Sequence, residues 1–281
     1  DYPDRARWWA IVERYGVDIL YTAPTAIRSH MKWGSEHAEK HDLSSIRLLG
    51  TVGEPINPEA WVWYREHIGG DRTPVVDTWW QTETGMILIT PLPGVTTLKP
   101  GSATKPFPGV DAAVVDDRGQ EVGPGGGGYL VLRRPWPAMT RGIFGDDARF
   151  RATYWERFPG VYFAGDGARI DEDGDFWLLG RVDDVMNISG HRISTIEVEN
   201  TISRHPAVLE CAVVAIPDDR WGERPKAFVT LGSGEEATEA EIIDFCRQRL
   251  AHFKAPDAVD FGELPKTSTG KVQKYVLRDR E

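Results

Sequence analysis

Apolar positions recur at helical spacing at the start of the chain. Trp8, Ile11 and Val12 share one face between Asp4 and about Tyr15, and Gly16 supplies a stop. Val17-Asp-Ile-Leu-Tyr21 then reads as a buried strand, and Pro24-Thr-Ala-Ile-Arg-Ser-His-Met31 as the next helix. Ile46-Arg-Leu-Leu-Gly50 is a further strand leading into the loop Val52 to Asn57. Pro58 opens a helix to about His67, and Val75-Val76 makes a short strand ending at Asp77. Strands alternating with helices predict a parallel α/β sheet, whose ligands bind at the carboxyl ends of its strands. Gly53-Glu54-Pro55 and the segment Asp77 to Thr82 both fall at such ends.

From about Pro91 the pattern changes. Pro106, Pro108, Gly109, Gly119 and the run Gly123 to Gly128 punctuate short segments, of which Asp111-Ala-Ala-Val-Val-Asp116 and Tyr129-Leu-Val-Leu-Arg133 read as strands of a small barrel or sheet. The glycine run lacks the lysine and following helix of a phosphate-cradling loop, so it reads as a flexible hairpin connection. An independent α+β pattern begins near Gly180-Arg-Val-Asp-Asp184: a helix over Thr195 to Ser203, strands over Leu209 to Ala215 and Lys226 to Leu231, a helix over Glu239 to His252, and a strand near Ala258 to Phe261. The expected domains are therefore 1–182, which is α/β to about 95 and β-rich over 96–182, and 183–281.

Composition narrows the function classes. At 281 residues, 41% hydrophobic and 27% charged, the chain has the make-up of a globular protein long enough for two cores. A net charge of −10 argues against a surface built for nucleic acid or anionic membranes. It leaves room for a local basic pocket that takes a small anion. No apolar run approaches a membrane span, and Cys211 and Cys246 in apolar segments read as buried reduced thiols, which fits a cytoplasmic setting. The chain opens on Asp1-Tyr-Pro-Asp without a methionine and runs straight into a helical pattern, which reads as an internal cut.

Several segments carry chemistry. Leu264-Pro-Lys-Thr-Ser-Thr-Gly-Lys271 sets one lysine after a proline-stiffened, glycine-hinged loop, able to deliver an ammonium where negative charge builds up. Glu83, in Thr82-Glu83-Thr84-Gly85, is a carboxylate beside hydroxyls, suited to a Mg²⁺ ion that keeps several waters and bridges phosphates. Asp166, between Gly165 and Gly167, is shaped to accept paired hydroxyls, and Arg181 could grip the same sugar or a phosphate. Each of these, taken alone, is also an ordinary loop or surface residue.

Taken in order, Asp77-Thr-Trp-Trp-Gln-Thr-Glu83-Thr-Gly85, Tyr162-Phe-Ala-Gly-Asp166-Gly167, Gly180-Arg-Val-Asp-Asp-Val-Met-Asn-Ile-Ser-Gly190 and the Lys271 segment resemble the adenylate-forming superfamily of acyl-CoA synthetases, luciferases and peptide-synthetase adenylation domains. Trp79-Trp80 and Gly53-Glu-Pro-Ile-Asn-Pro-Glu-Ala-Trp61 draw the resemblance toward its acetate-activating members. The resemblance implies the C-terminal part of a large N-terminal domain, parallel α/β plus a small β-barrel, followed by a small mobile α+β domain. It implies ATP, coenzyme A and acetate as substrates and Mg²⁺ as cofactor.

By motif, Gly53, Glu54, Pro55 and the run Asp77, Thr78, Trp79, Trp80, Gln81 and Thr82 would flank the adenine, with Asp166, Arg181 and Arg192 on the ribose and phosphates. Val52 and Trp80 would line the acyl pocket, where a bulky indole leaves room for about two carbons. Lys271 would be the adenylation lysine and Asp183 the hinge. Ser189 and Gly190 would approach coenzyme A, with Arg247 on a coenzyme A phosphate, and Ser203, His205 and Val208 mark a stretch where relatives hold a second Mg²⁺.

The chain departs from that pattern in two ways. Beyond about Arg192, Pro217 to Pro225, Cys246 to Lys254 and Lys266 to Lys274 resemble longer-chain and plant-type acyl-activating enzymes. The superfamily's Ser/Thr/Gly-rich phosphate loop would lie upstream of Asp1, so activity would need an N-terminal half that is not in this sequence. The expected function is an AMP-forming acetate–CoA ligase, inactive as this piece alone. The alternatives are a medium-chain or aromatic acyl-CoA ligase, and a noncatalytic remnant that binds adenine nucleotide.

Overall fold

The computed structural model describes residues 2–188, 191–218, 221–266 and 272–280, and the chain divides into two compact units, Asp1–Leu178 and Leu179–Glu281. The first unit opens with α1, Arg7–Tyr15, which buries Trp9 and Val12 and stops where Gly16 turns left-handed at φ 58°. β1 (Ile19–Thr22), α2 (Pro24–Trp33) and β2 (Leu48–Thr51) follow. Asn57 caps α3 (Pro58–Trp63) by accepting the Ala60 N–H at 2.8 Å. The helix then widens into a π turn over Tyr64–Ile68 before β3 (Val75–Asp77).

These strands form one parallel sheet in the order β1-β2-β3, with Tyr21 opposite Gly50 and Gly50 opposite Val76. Thr22, Thr51 and Asp77 therefore end the three strands in a row. Ile27, Ile46, Leu49, Trp61, Tyr64 and Val75 pack the helices against the sheet.

A second sheet has the order β4 (Ala112–Val115), β5 (Gly127–Leu132), β6 (Tyr162–Ile170) and β7 (Phe176–Arg181), with β5 antiparallel to β4 and β6. Val114, Leu130, Leu132, Tyr162 and Phe176 make its core, joined by Trp79 and Trp136. The glycine run is only partly a connection. Gly126 donates to the Gly123 carbonyl at 3.0 Å to close a turn, whereas Gly127 and Gly128 already belong to β5, where a side chain on Gly128 would overlap the Val115 carbonyl. Between β5 and β6 lies α4 (Asp147–Tyr154), absent from the sequence reading because it buries no residue and so shows no apolar stripe.

The second unit carries β8 (Val185–Ile188), β9 (His191–Ser194), α5 (Thr195–Ile202), β10 (Val208–Asp218), β11 (Gly222–Leu231), α6 (Glu239–Arg247), β12 (Ala258–Phe261) and α7 (Lys274–Arg278). The sheet order is β10-β11-β8-β9, with β12 parallel beside β11, over a core of Met186, Val198, Ile202, Val213, Val229, Ile242 and Cys246. α6 begins with a reciprocal Thr238–Glu241 capping box and ends at Arg247 rather than His252. Its last apolar neighbours, Leu250 and Ala255, reach the core from irregular backbone and a 3₁₀ turn over His252–Lys254. Among the described residues, no helix is long and apolar enough to cross a membrane.

Candidate functional site

The row of strand ends in the first unit gathers hydroxyl and carboxyl groups. The Thr51 hydroxyl donates to Oδ1 of Asp77, and the Thr78 hydroxyl donates to the Thr51 carbonyl at 2.7 Å. Asp77 is 7% exposed, and burial pushes its carboxyl up to about 7, opposed by the Thr51 hydrogen bond. Its Oδ2 is buried without a hydrogen-bond partner among the described residues, so it can accept from a bound amino or hydroxyl group.

Tyr21, at the end of β1, links this row to Trp80. Its hydroxyl lies 2.7 Å from Thr78 Oγ1 and accepts from Trp80 Nε1 at 3.1 Å. Gly50 makes room for the ring, since a Cβ there would stand 2.7 Å from Tyr21 Cδ2. Trp80 is 40% exposed and so is not a core tryptophan, unlike Trp79, which is buried. Val52 is half-buried and follows the end of β2, its N–H bonded to the Thr22 carbonyl at 3.1 Å. Glu54, half-buried like Pro55, accepts from the Thr25 hydroxyl and, at 3.0 Å, from Arg28. Gly53, at φ 94°, is a conformation that side chains resist, and Thr82 is exposed.

The second sheet brings Asp166 to the same segment. Tyr129 pairs with Gly167 and Val131 with Phe163, so β6 bulges between them and re-aims Asp166, with Gly165 at φ 70°. Trp79 Nε1 and Gln81 Nε2 both donate to Asp166 Oδ2, each at 3.0 Å. Gln81 Nε2 also reaches the Ala164 carbonyl at 2.7 Å, and Gln81 Oε1 accepts from the Tyr162 hydroxyl at 3.0 Å. The motif at residues 77–82 and the motif around Asp166 thus meet through side chains 85 and 87 residues apart.

Glu83 opens the next turn. One carboxylate oxygen accepts from the Tyr154 hydroxyl at 2.6 Å, and its backbone carbonyl accepts the Thr140 N–H at 2.9 Å. Tyr154 stacks on Tyr162 with ring centroids 5.3 Å apart, so α4 and β6 together hold the carboxylate in place. A single oriented carboxylate beside hydroxyls is the donor set that Mg²⁺ takes when phosphates and waters complete its shell.

Among the described residues, one group of acids stands close enough to hold a metal: Asp171, Asp173 and Asp175. Its centre already holds a cation, because Lys99 Nζ lies 2.7 Å from each of the three and Lys105 Nζ 2.9 Å from Asp175. Burial would raise the Asp171 carboxyl, but hydrogen bonds from Lys99 and Trp177 hold it well below the usual carboxylate range. This group is an ion-paired hairpin, apart from the Asp77–Asp166 cluster in its bonding.

The other expected residues fall in the second unit. Arg181 is exposed at the end of β7, and Asp183 is exposed in a 3₁₀ turn over Val182–Asp184. Arg247 is exposed at the end of α6, 3.8 Å from Asp244. Ser203 Oγ lies 3.4 Å from Cys211 Sγ, His205 Nδ1 accepts the Ala207 N–H at 3.3 Å, and Val208 is buried. The side chains of Ser203 and His205 are therefore engaged with their own unit. Lys271, Ser189 and Gly190, together with the side chain of Arg192, lie outside the described residues. Burial pushes the Cys211 thiol up to about 12 and the Cys246 thiol to about 11, which suits inert structural thiols.

Tyr21, Thr25, Thr51 and Tyr154 escaped the sequence reading, and Tyr162 entered it only as the first residue of the Asp166 motif, with no role of its own. Of the first four, Tyr21 and Thr51 carried a signal, their place at strand ends. Thr25 and Tyr154 depend on contacts far along the chain.

Comparison with known proteins bears on all of this. The family model for AMP-binding enzymes matches residues 1–144, just over half of the 281-residue chain, and the model for the AMP-binding enzyme C-terminal domain matches 197–271. The acetyl-coenzyme A synthetase of Streptomyces avermitilis is 59% identical over 99% of this chain and 44% of its own length. That of Rubrobacter xylanophilus is 56% identical, again over 99% of this chain and 44% of its own. The crystal structure of the anthranilate CoA ligase AuaEII in complex with anthranoyl-AMP superposes with a TM-score of 0.78 at 33% identity, covering 99% of this chain and 53% of that one. The chain thus spans about half the length, or less, of the relatives it matches.

Proposed function

We propose, from the premise that the chain belongs to the AMP-binding enzyme family, that the whole protein is an AMP-forming acetate–CoA ligase. The observation that carries this reading is the meeting of Trp79 and Gln81 with Asp166 beside the row of parallel strand ends. It assembles, from distant segments, a buried carboxylate, an orphaned acceptor on Asp77 and an exposed indole at Trp80.

The reaction has two halves. A carboxylate oxygen of acetate attacks the α-phosphorus of ATP, the bond to pyrophosphate breaks, and acetyl-adenylate forms. The coenzyme A thiol, giving up its proton, then attacks the acyl carbon, and the bond to AMP breaks. Asp77 Oδ2 would accept from the adenine amino group, the Gly53 to Pro55 loop would close over the ring, and Asp166 would take ribose hydroxyls. Mg²⁺, held by Glu83, would supply charge neutralisation on the phosphates. Lys271 would offset the charge of the pentacoordinate phosphorus, and Arg181 and Arg192 would grip ribose and phosphate. Turning about Asp183 would then replace Lys271 by the Ser189-Gly190 segment for thiol attack, with Arg247 on a coenzyme A phosphate. Trp80 and Val52 would bound the acyl pocket and hold it to short acids. The second Mg²⁺ at Ser203, His205 and Val208 does not enter this reading, given the engaged side chains there. A cytoplasmic location fits the substrates.

The identity to acetyl-coenzyme A synthetases over 99% of the chain includes the C-terminal third that resembles longer-chain enzymes, and it favours acetate. The likeness to an anthranilate CoA ligase supports an aromatic acid as the second reading. The test is ATP–pyrophosphate exchange by the full-length protein with acetate, hexanoate and anthranilate. Exchange with acetate at the highest kcat/KM supports the first reading, and anthranilate in that place supports the second. Residues 1–281 alone should form no AMP above background, because the family's phosphate-orienting loop would lie outside these residues.

A further inference from the structure

The division between the two compact units falls after Leu178, and the next segment has the marks of a pivot: Gly180 at φ 94°, then the 3₁₀ turn Val182–Asp184 with Asp183 exposed. That segment is not loose on its C-terminal side. From the far end of the chain, Arg278 donates through Nη1 to the Asp183 carbonyl and stands, through Nη2, 3.5 Å from Asp184 Oδ1. Lys274, one turn earlier on α7, donates to Thr195 Oγ1 at 2.8 Å, pairs with Glu199 at 2.7 Å, and lies 3.9 Å from Asp184. α7 is itself anchored, because Leu277 is fully buried against Ala212, Val214, Phe228 and Leu264.

The peptide group is planar, so the Asp183 carbonyl and the Asp184 N–H move as one plate. Arg278 fastens that plate to the second unit. Free rotation is thereby confined to the torsions of Asp183 and the residues before it, and the torsions beyond the plate are held. A pivot with one defined axis returns a moving body to the same two places, whereas a loose one spreads it over many.

The segment that α7 continues is the one bearing Lys271. Lys266 bridges to Val272, Gln273 N donates to the Pro265 carbonyl at 2.8 Å, and Lys266 pairs with Glu210 at 2.7 Å. Lys271 sits one residue before Val272, and Arg278 six after it. One short stretch of chain therefore carries both the reacting ammonium and the clamp on the pivot.

We propose that Arg278 is a positioning residue that clamps the Asp183–Asp184 peptide to the second unit and so defines the axis about which that unit turns between the two half-reactions. The part of this that concerns half-reactions rests on the ligase reading above. The clamp itself does not.

The experiment uses the full-length protein as wild type, Arg278→Gln and Arg278→Lys. Amide exchange at residues 183–186 should quicken about tenfold in Arg278→Gln, the factor expected for losing a charge-assisted hydrogen bond at a partly exposed site, with the melting temperature lowered by no more than a few degrees. Arg278→Lys should restore most of the protection, because a lysine ammonium can still reach a carbonyl. Acetate-dependent pyrophosphate exchange, and thioester formation from supplied acetyl-adenylate, should both fall by about the same tenfold, since each arrangement is reached less often. Unchanged exchange at 183–186, or faster exchange spread over the whole unit without rescue by lysine, overturns the clamp. Loss of only one half-reaction overturns the common axis. Wild-type protein inert in both half-reactions would overturn the ligase reading, and amide exchange would still decide the clamp.

Discussion

Removing the Asp166 carboxylate should unmask how the two motif segments are joined. Asp166→Ala takes away the acceptor shared by Trp79 Nε1 and Gln81 Nε2. Gln81 Nε2 keeps the Ala164 carbonyl at 2.7 Å, so its loss is partial. Trp79 is only 8% exposed and would be left with a buried, unpaired N–H. Leaving such a donor unsatisfied costs about 1–3 kcal/mol, and the partial loss at Gln81 adds up to about 1 kcal/mol, so the first unit should lose about 3 kcal/mol. The assay is urea unfolding of the chain followed by tryptophan fluorescence, repeated in a Trp79→Phe background. Phenylalanine has no N–H to strand, so there the Asp166→Ala penalty should drop to about 1 kcal/mol. Equal penalties in the two backgrounds would refute the reasoning, since the Trp79–Asp166 bond would then carry no energy.

Trp80→Gly in the full-length protein should move the preference from acetate toward longer acids. Each newly buried methylene is worth about 0.8 kcal/mol, so butyrate and hexanoate should gain roughly 2–3 kcal/mol in kcat/KM relative to acetate, and an unchanged ranking would remove Trp80 from the acyl pocket. The Asp77 carboxyl, raised by burial to about 7, favours the folded state while protonated. Its contribution is full below the unfolded value near 4 and is lost as pH rises to about 7, at up to about 1.4 kcal/mol per pH unit. Asp77→Asn should therefore gain stability over wild type steadily across that window, and a difference that does not change with pH would contradict the assignment. His30 lies 4.9, 4.7 and 5.0 Å from the rings of Trp8, Trp9 and Trp33, and burial lowers it to about 4. Its contribution is present above about 6.5 and lost as pH falls toward 4, so His30→Phe should show its largest relative stability at the acid end; urea unfolding repeated across pH reads both this and the Asp77→Asn difference.

The parallel sheet was legible because its signals are local. Gly16 and Pro58 mark helix ends, and the apolar runs at 17–21 and 46–50 have the length of strands; β2 is buried as expected, whereas β1 buries none of its residues and leaves Ile19 and Tyr21 exposed. α4 was not legible, because a helix with no buried residue leaves no periodic trace. Gly127 and Gly128 were read as connection because glycine ordinarily breaks a strand, whereas here the close Val115 carbonyl excludes any side chain. The positions of Glu54 and Asp77 at strand ends followed from the pattern. Their partners did not: Tyr21 to Trp80 spans 59 residues and Tyr154 to Glu83 spans 71, and no window along the chain links such pairs. The bulge that turns Asp166 toward Trp79 depends on register, which only the paired strands define.

The central claim is an enzyme that builds an acyl-adenylate with one arrangement and consumes it with another. The most direct measurement compares the two half-reactions in full-length wild type and Lys271→Ala. Acetate-dependent pyrophosphate exchange should fall at least about 100-fold, the cost of one charge-assisted contact made in the transition state, while acetyl-CoA formation from supplied acetyl-adenylate stays near the wild-type rate. Equal loss in both half-reactions, or wild-type protein that binds ATP without exchanging pyrophosphate, would contradict the account.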